Sequence, residues 1–448
     1  MPRIVIAAPA SGSGKTMITT GLLAALRRTG LRVSGHKVGP DYIDPGYHAL
    51  ASGRVGRNLD PWLVGEDRVA PLLLHGAQHL EPADIAVVEG VMGLHDGVVG
   101  SDAGFASTAH VARLIGAPVV LVLDTTAQGR TAAAVVHGLQ LFDPRVRVGG
   151  VILNRVGSPR HESLLRAAMA EVGVPVLGSV ARSAEAVTPS RHLGLIPAAE
   201  RRADAEQAVA ALADLVADGV DLAAVMELAR TAPPLDVKAW NPAHEVARVG
   251  DGVRVALAGG AAFSFGYAET AELLTAAGAD VVTVDPLRDT ALPAGAAGLV
   301  LGGGFPEAHA EQLAANTGLR ADVAAFDGPI AAECAGLLYL CRSLDGAPMA
   351  GVLDAAAAMT PRLTLGYREA VADVDSPVAA AGERVRGHDF HRTATDPAHG
   401  ESAAWRYAGA GRGNRHGFAS RRVHAAYLHT HWAGRPSAAE RFAAACRG

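Results

Sequence analysis

Residues 3–8 of this chain, Arg-Ile-Val-Ile-Ala-Ala, run directly into Pro9-Ala10-Ser11-Gly12-Ser13-Gly14-Lys15-Thr16 and then into an apolar-periodic stretch from Met17 to Arg28. A buried strand, a glycine turn and a helix in that order strongly restrict the fold. Glycines let backbone N–H groups close on an anion at the positive end of a helix, Lys15 adds charge, and the Thr16 hydroxyl suits a magnesium ion. The pattern predicts a phosphate-binding loop with Ser11, Gly12, Ser13, Gly14, Lys15 and Thr16 as nucleotide-binding residues. Pro9 stands where the strict motif has glycine.

The rest of the first half alternates apolar runs with helical segments. Arg32–Lys37, Ile85–Glu89, Val119–Asp124, Val148–Asn154 and Val174–Val180 are continuous Val/Ile/Leu runs. Such runs indicate strands buried on both faces, hence a parallel sheet covered by helices in an α/β domain. Functional groups of such sheets gather at the carboxyl ends of the strands. His36-Lys37-Val38-Gly39-Pro40-Asp41-Tyr42-Ile43-Asp44-Pro45 and Glu89-Gly90-Val91-Met92-Gly93-Leu94-His95-Asp96-Gly97 follow two of these strands. Carboxylates beside a triphosphate are useful chiefly as Mg²⁺ ligands. The expected metal ligands are therefore Thr16, Asp41 and Glu89, with Asp44 and Asp96 facing substrate or intermediate. Asn154, at a strand end, is read as a contact to the base of ATP.

A polar, proline-bearing stretch from Thr231 to Gly252 breaks the pattern. It divides the chain into an expected domain over 1–232, a linker over 233–250 and a second domain over 251–448. The second half opens with a strand at Val253–Ala258, then a helix at Tyr267–Ala277 and strands at Val281–Val284 and Gly298–Leu301. Pro329-Ile330-Ala331-Ala332-Glu333-Cys334-Ala335-Gly336 reads as a strand ending in a sharp turn that presents a cysteine, and residues 350–432 read as β-rich. A cysteine that attacks an amide needs a base and a pair of backbone donors for the oxyanion. Gly302, Gly303 and Gly304 can supply the donors, and His429 of Tyr427-Leu428-His429-Thr430-His431 the base. Cys341 falls in the following helix as a core residue. The spacings His388-x-x-His391 and His429-x-His431 have no third metal ligand nearby in sequence.

Composition narrows the function. With 49% hydrophobic residues the chain can build large cores, and a net charge of −5 argues against nucleic acid as a partner. Three cysteines form neither a disulfide framework nor a CxxC pair, which fits a reducing, cytoplasmic setting. Apolar runs are too short for a membrane span.

Taken together, Ala10–Thr16, Lys37–Pro45, Asn58-Leu59-Asp60-Pro61, Glu89–Gly97 and Arg191-His192-Leu193-Gly194 resemble the cobyrinic acid a,c-diamide synthase family, which includes the hydrogenobyrinic acid enzymes. The resemblance spans essentially the whole chain, with Val-Gly-Pro-Asp-Tyr-Ile-Asp-Pro its most specific piece. It implies a dethiobiotin synthetase-like P-loop domain that phosphorylates a carboxylate with ATP and Mg²⁺. The order of glycine loop, Cys334 and His429 resembles a class I glutamine amidotransferase domain. That pattern usually ends His-Pro-Glu; here Thr430 and His431 follow the histidine, leaving a Cys–His dyad. Glutamine and a corrinoid or tetrapyrrole polycarboxylate are the implied partners, with Lys37, Arg54 or Arg57 holding neighbouring carboxylates and a homodimer as the assembly. Nickel-sirohydrochlorin a,c-diamide synthase and cobyric acid synthase have the same two-domain plan and stay open. A partitioning-type ATPase is the non-enzymatic alternative, and the Cys334/His429 pair argues against it.

Overall fold

Seven apolar runs of the first half pair side by side as β1 (Arg3–Ala7), β2 (Val33–Val38), β3 (Arg57–Leu59), β4 (Ile85–Glu89), β5 (Val119–Asp124), β6 (Val148–Val156) and β7 (Val176–Ala181), in the order β3-β2-β4-β1-β5-β6-β7. Every pairing is parallel. Ile4, Val5, Ile6, Val87, Val88, Val120 and Leu121 are fully buried, as two covered faces require. The computed structural model describes residues 1–101, 104–182, 190–191, 194–195, 197–408 and 414–448. It separates into two units, Met1–Pro61 with Gly65–Trp240, and Trp62–Val64 with Asn241–Gly448. Within the first unit, Ser190–Arg191 (β8) and Gly194–Leu195 (β9) form a small antiparallel pair. His192 and Leu193 of the Arg191–Gly194 motif lie outside the described residues.

Register brings the chemistry to one edge. Lys37 of β2 and Ile6 of β1 both pair with Glu89 of β4, and Asp124 of β5 pairs with Asn154 of β6. The strand ends therefore form a row above which the connecting loops gather. Helix α1 (Lys15–Arg28) follows the glycine turn at once, two residues earlier than periodicity suggests. β6 continues two residues past Asn154. Two elements were not legible as such. β3 is a three-residue edge strand, too short for a periodic signal. Helix α2 (Asp44–Ser52) grows from the Asp41-to-Pro45 turn: the Asp41 carboxylate accepts the N–H groups of Ile43 and Asp44, each at 2.9 Å, and Pro45 suits a first turn.

The second unit has its own sheet of β10 (Arg254–Ala258), β11 (Asp280–Val284), β12 (Ala296–Leu301), β13 (Ile330–Glu333) and, far downstream, β20 (Phe418–Ala419) and β21 (Val423–Ala426). Its order is β11-β10-β12-β13-β21-β20, parallel except for the last pair. A second sheet is built on the long hairpin of β16 (Ala356–Ala372) and β17 (Arg384–Asp396), with β14 (Ser343–Leu344), β15 (Ala347–Pro348), β18 (Trp405–Tyr407) and β19 (Arg415–His416). The β-rich tail is thus two things: a mostly antiparallel layer, and a strand, β21, that returns to the central sheet beside β13.

Close packing in the first unit depends on Gly21. A Cβ there would lie 2.5 Å from the Leu212 carbonyl oxygen and from Val216 Cγ2, on the helix Arg202–Gly219. Gly21→Val should therefore destabilise this unit by about 1–3 kcal/mol through overpacking. The thermal transition should fall by about 2–12 °C. An unchanged melting curve would show that the two helices tolerate separation.

Candidate active sites

The phosphate loop is shaped by its support as much as by its glycines. Gly14 adopts φ 95° as the residue capping α1, and any Cβ there would collide with the amide of Asn154. Asn154 is fully buried and donates from Nδ2 to the Ser13 carbonyl at 2.9 Å. The structure thus shows this side chain supporting the loop through the Ser13 carbonyl. Ser13 Oγ donates back to the Ala10 carbonyl at 2.9 Å, while Ser11 and Gly12 face solvent. No side chain caps the first turn of α1, so no side-chain cap competes with an anion there. Lys15 reaches back over the loop, donating to the carbonyls of Ala10 at 3.2 Å and Met92 at 2.6 Å. Met92 presents that carbonyl from a left-handed backbone, φ 48°. Burial, then the neighbouring Lys37, lowers the Lys15 ammonium to about 8.

Beside the loop lies a buried charge cluster. Lys37 Nζ donates to Asp44 Oδ2 at 2.6 Å, Glu89 Oε1 at 2.9 Å and the Gly90 carbonyl at 3.2 Å. Thr16 Oγ1 lies 2.6 Å from Glu89 Oε1 and 3.2 Å from Asp44 Oδ2. His48 Nε2 meets Glu89 Oε2 at 2.7 Å. Burial alone would depress the Lys37 ammonium, but Asp44, Glu89 and Asp41 hold it well above the ordinary lysine value. Burial would raise Glu89, but Lys37 and His48 keep it well below the carboxylate range. Asp44 is pushed well up by burial, Asp41 and Glu89. Negative charge at this spot exceeds what one ammonium can neutralise.

The oxygens of Thr16, Asp44 and Glu89 gather beside the Lys37 ammonium, and a hydroxyl with two carboxylates is the kind of hard-oxygen set that Mg²⁺ takes. The grouping differs from the expected one. Asp44, not Asp41, stands with Thr16 and Glu89. Asp41 spends Oδ1 on starting α2, and its Oδ2 is 3.9 Å from Lys37. Asp96 accepts the Gly93 N–H at 2.9 Å and so holds the turn after β4. Of the basic residues expected to hold substrate, Lys37 and Arg57 are buried, and Arg54 donates to the carbonyls of His79 and Glu81. His48 was missed; its signal is the helical i+4 spacing from Asp44.

In the second unit, Cys334 sits between β13 and the helix Ala335–Leu340 at φ 48°, ψ −101°, a strained backbone that turns the thiol out of the strand. Backbone N–H groups of Gly304 and Ala335 point at the sulfur. Burial and the nearby Glu307 nonetheless push the thiol up to about 12, so the resting group is protonated and needs a base. That base is brought by β21. His429 exchanges two backbone hydrogen bonds of 3.0 Å with His388 of β17, and its ring lies over Gly303, where a Cβ would collide with it. Burial, with His388 and His391, lowers His429 to about 3, so it is neutral.

The oxyanion expectation needs one correction. The Gly303 N–H is bonded to the Phe265 carbonyl at 2.9 Å, and the Gly302 carbonyl accepts the Gly336 N–H at 3.0 Å. The Gly303 N–H is thus engaged and Gly303 makes room for the histidine, while the N–H groups of Gly304 and Ala335 are directed at the Cys334 sulfur. His431 stacks on Tyr267 at 4.1 Å and accepts the Ala433 N–H at 3.3 Å. Cys341 is fully buried core.

A phosphate-binding loop over an acidic cluster and a cysteine–histidine pair on a second parallel sheet define an ATP-using protein joined in one chain to an amidotransferase-type unit. Residues 4–196 match the family model described as the CobQ/CobB/MinD/ParA nucleotide binding domain, and residues 254–437 the CobB/CobQ-like glutamine amidotransferase domain. The chain is 58% identical to hydrogenobyrinate a,c-diamide synthase of Streptomyces coelicolor over 480 aligned residues, covering 100% of this chain and 98% of the relative. It is 56% identical to the Thermobifida fusca enzyme of the same name over 99% of this chain and 97% of the relative. Cobyrinate a,c-diamide synthase of Gloeobacter violaceus is 44% identical over 99% and 96%. The chain belongs to the a,c-diamide synthase family of glutamine-hydrolysing ligases, as its motifs led us to expect. Among the described residues no helix is long and apolar enough to cross a membrane.

The charge cluster has a direct consequence. Lys37→Met leaves Glu89 and Asp44 buried without their ammonium, which should cost about 3–5 kcal/mol. Urea unfolding should show the loss, and adding Glu89→Gln should recover part of it. Additive effects of the two substitutions would mean the pair is not coupled.

Proposed function

We propose that this protein amidates the a and c carboxylates of hydrogenobyrinic acid, consuming ATP and glutamine in cobalamin biosynthesis. The observation that carries the reading is the presence, in one chain, of a phosphoryl-transfer site and a thiol site suited to releasing ammonia from glutamine. The two chemistries complete each other, because ammonia needs an activated acceptor and an acyl phosphate needs a nitrogen nucleophile. Higher identity to relatives named for hydrogenobyrinate than to one named for cobyrinate favours the metal-free ring. The proposed domain division is 1–232 for the synthetase, 233–250 for the linker and 251–448 for the amidotransferase.

In the glutaminase half, His429 takes the Cys334 proton as the sulfur attacks the side-chain amide carbon of glutamine. The N–H groups of Gly304 and Ala335 receive the oxyanion. Return of the proton to the departing nitrogen releases ammonia, and water then hydrolyses the thioester. In the synthetase half, the N–H groups from Gly12 to Thr16 and Lys15 bind the phosphates of ATP. Thr16, Glu89 and Asp44 would hold Mg²⁺, which neutralises charge on the phosphates. The acceptor carboxylate attacks the γ-phosphorus and ADP leaves; ammonia then attacks the acyl carbon and displaces inorganic phosphate, giving the amide.

We further place the protein in the cytoplasm, where its three free thiols stay reduced. As the assembly we propose a homodimer, for which exposed Leu141 and Phe142 offer an apolar surface. Light scattering near twice 45.8 kDa is the check.

Cys334→Ser should lower glutamine-supported amidation by at least about 10³-fold while ammonia-supported amidation persists. Lys15→Ala should lose both. Mass spectrometry of products from metal-free, cobalt and nickel rings reads the outcome and the substrate together. Diamide formed only from the nickel ring would point to the sirohydrochlorin enzyme instead. Failure of ammonia to rescue Cys334→Ser would show that the cysteine is structural.

A further inference from the structure

In the usual class I pattern a glutamate two residues after the histidine orients it, and this chain has His431 there, occupied with Tyr267 and Ala433. The structure assigns that positioning role to Glu333, the residue immediately before the nucleophile. The inference rests on the glutaminase reading of Cys334 and His429.

Glu333 ends β13, and His429 follows the neighbouring β21, with Glu333 paired in register to Ala426. This adjacency sets Glu333 Oε2 at 3.7 Å from His429 Nδ1. The other oxygen is already committed: Oε1 accepts the Thr430 N–H at 3.1 Å and its hydroxyl at 2.8 Å. Two bonds from the residue next to His429 fix the carboxylate plane and leave Oε2 turned to the imidazole. Thr430 thus replaces the usual proline with a residue that holds the acid. Orienting contacts are often long in the absence of substrate and shorten in the reacting complex.

The role follows from the proton inventory. The thiol and the imidazole are both buried and neutral at rest, so moving a proton from Sγ to Nε2 creates an imidazolium in a poorly solvated place. An acceptor at Nδ1 fixes the tautomer in which Nε2 carries no proton and can take one, and stabilises the cation once formed. Burial raises the Glu333 carboxyl to about 7 against the opposing effects of Thr430 and Arg435. Its ionisation therefore falls near neutrality. The titratable and charged groups facing it are His429, Cys334 and Arg435.

The test is Glu333→Gln in the full chain, with glutamine hydrolysis and ammonia-supported amidation measured side by side. Glutaminase kcat should fall by at least about tenfold, with KM for glutamine little changed and ammonia-supported turnover retained. The wild-type glutaminase rate should rise with pH through about 7, and that limb should vanish in the variant. His431→Ala should leave the limb in place. Wild-type glutaminase kcat in Glu333→Gln overturns the assignment, as does an equal loss with ammonia, which marks a structural role. Cys334→Ser serves as the reference: persistent glutamine hydrolysis there would bring down the glutaminase reading itself rather than the role of Glu333.

Discussion

The ammonium of Lys37, near the end of β2 and held between Glu89 on the adjacent β4 and Asp44 at the start of α2, is the contact on which the first unit depends. Its position is set by sheet register, since Lys37 and Glu89 are cross-strand partners. Thr16 joins the same carboxylates from the first turn of α1, so loop, sheet and α2 meet at one point. Buried charges at such separations interact strongly, and unbalanced ones are costly. The Lys37 ammonium balances carboxylates that would otherwise stand buried and unpaired. The proposed function would make the same residues serve phosphoryl transfer as well.

The second unit solves a different problem with the same kind of sheet. Cys334 is forced out of β13 by a strained turn, and its base arrives from a strand nearly a hundred residues later in the chain. Backbone pairing of His429 with His388 fixes that base from the antiparallel layer, and Gly303 gives its ring a place to lie. Neither group is activated at rest. A thiol near 12 and an imidazole near 3 keep the proton on sulfur.

Much of this was legible from residues alone. Continuous apolar runs announced the parallel strands within one or two residues, because burial on both faces leaves an unmistakable pattern. The glycine turns and the acidic strand ends drew attention to both candidate sites. What escaped was whatever depends on register or on distant pairing. Asp41 and Asp44 are equivalent in sequence, and only the start of α2 decides that Asp44 faces Thr16. Asn154 is singled out by its strand end, but its bond to the Ser13 carbonyl is not legible in sequence. β3 is too short to show a period. Glu333 was in view beside Cys334, yet its nearness to His429 follows from β21 joining β13, a contact no local pattern contains.

The central proposal, that ATP activates a substrate carboxylate for ammonia, is tested most directly by oxygen transfer. Hydrogenobyrinic acid carrying ¹⁸O in its carboxylates is incubated with ATP and ammonia, and the released phosphate is analysed by mass spectrometry. An acyl phosphate requires one labelled oxygen in phosphate for each amide formed, since the carboxylate oxygen that attacks phosphorus leaves with it. Amide formation with unlabelled phosphate would contradict the account.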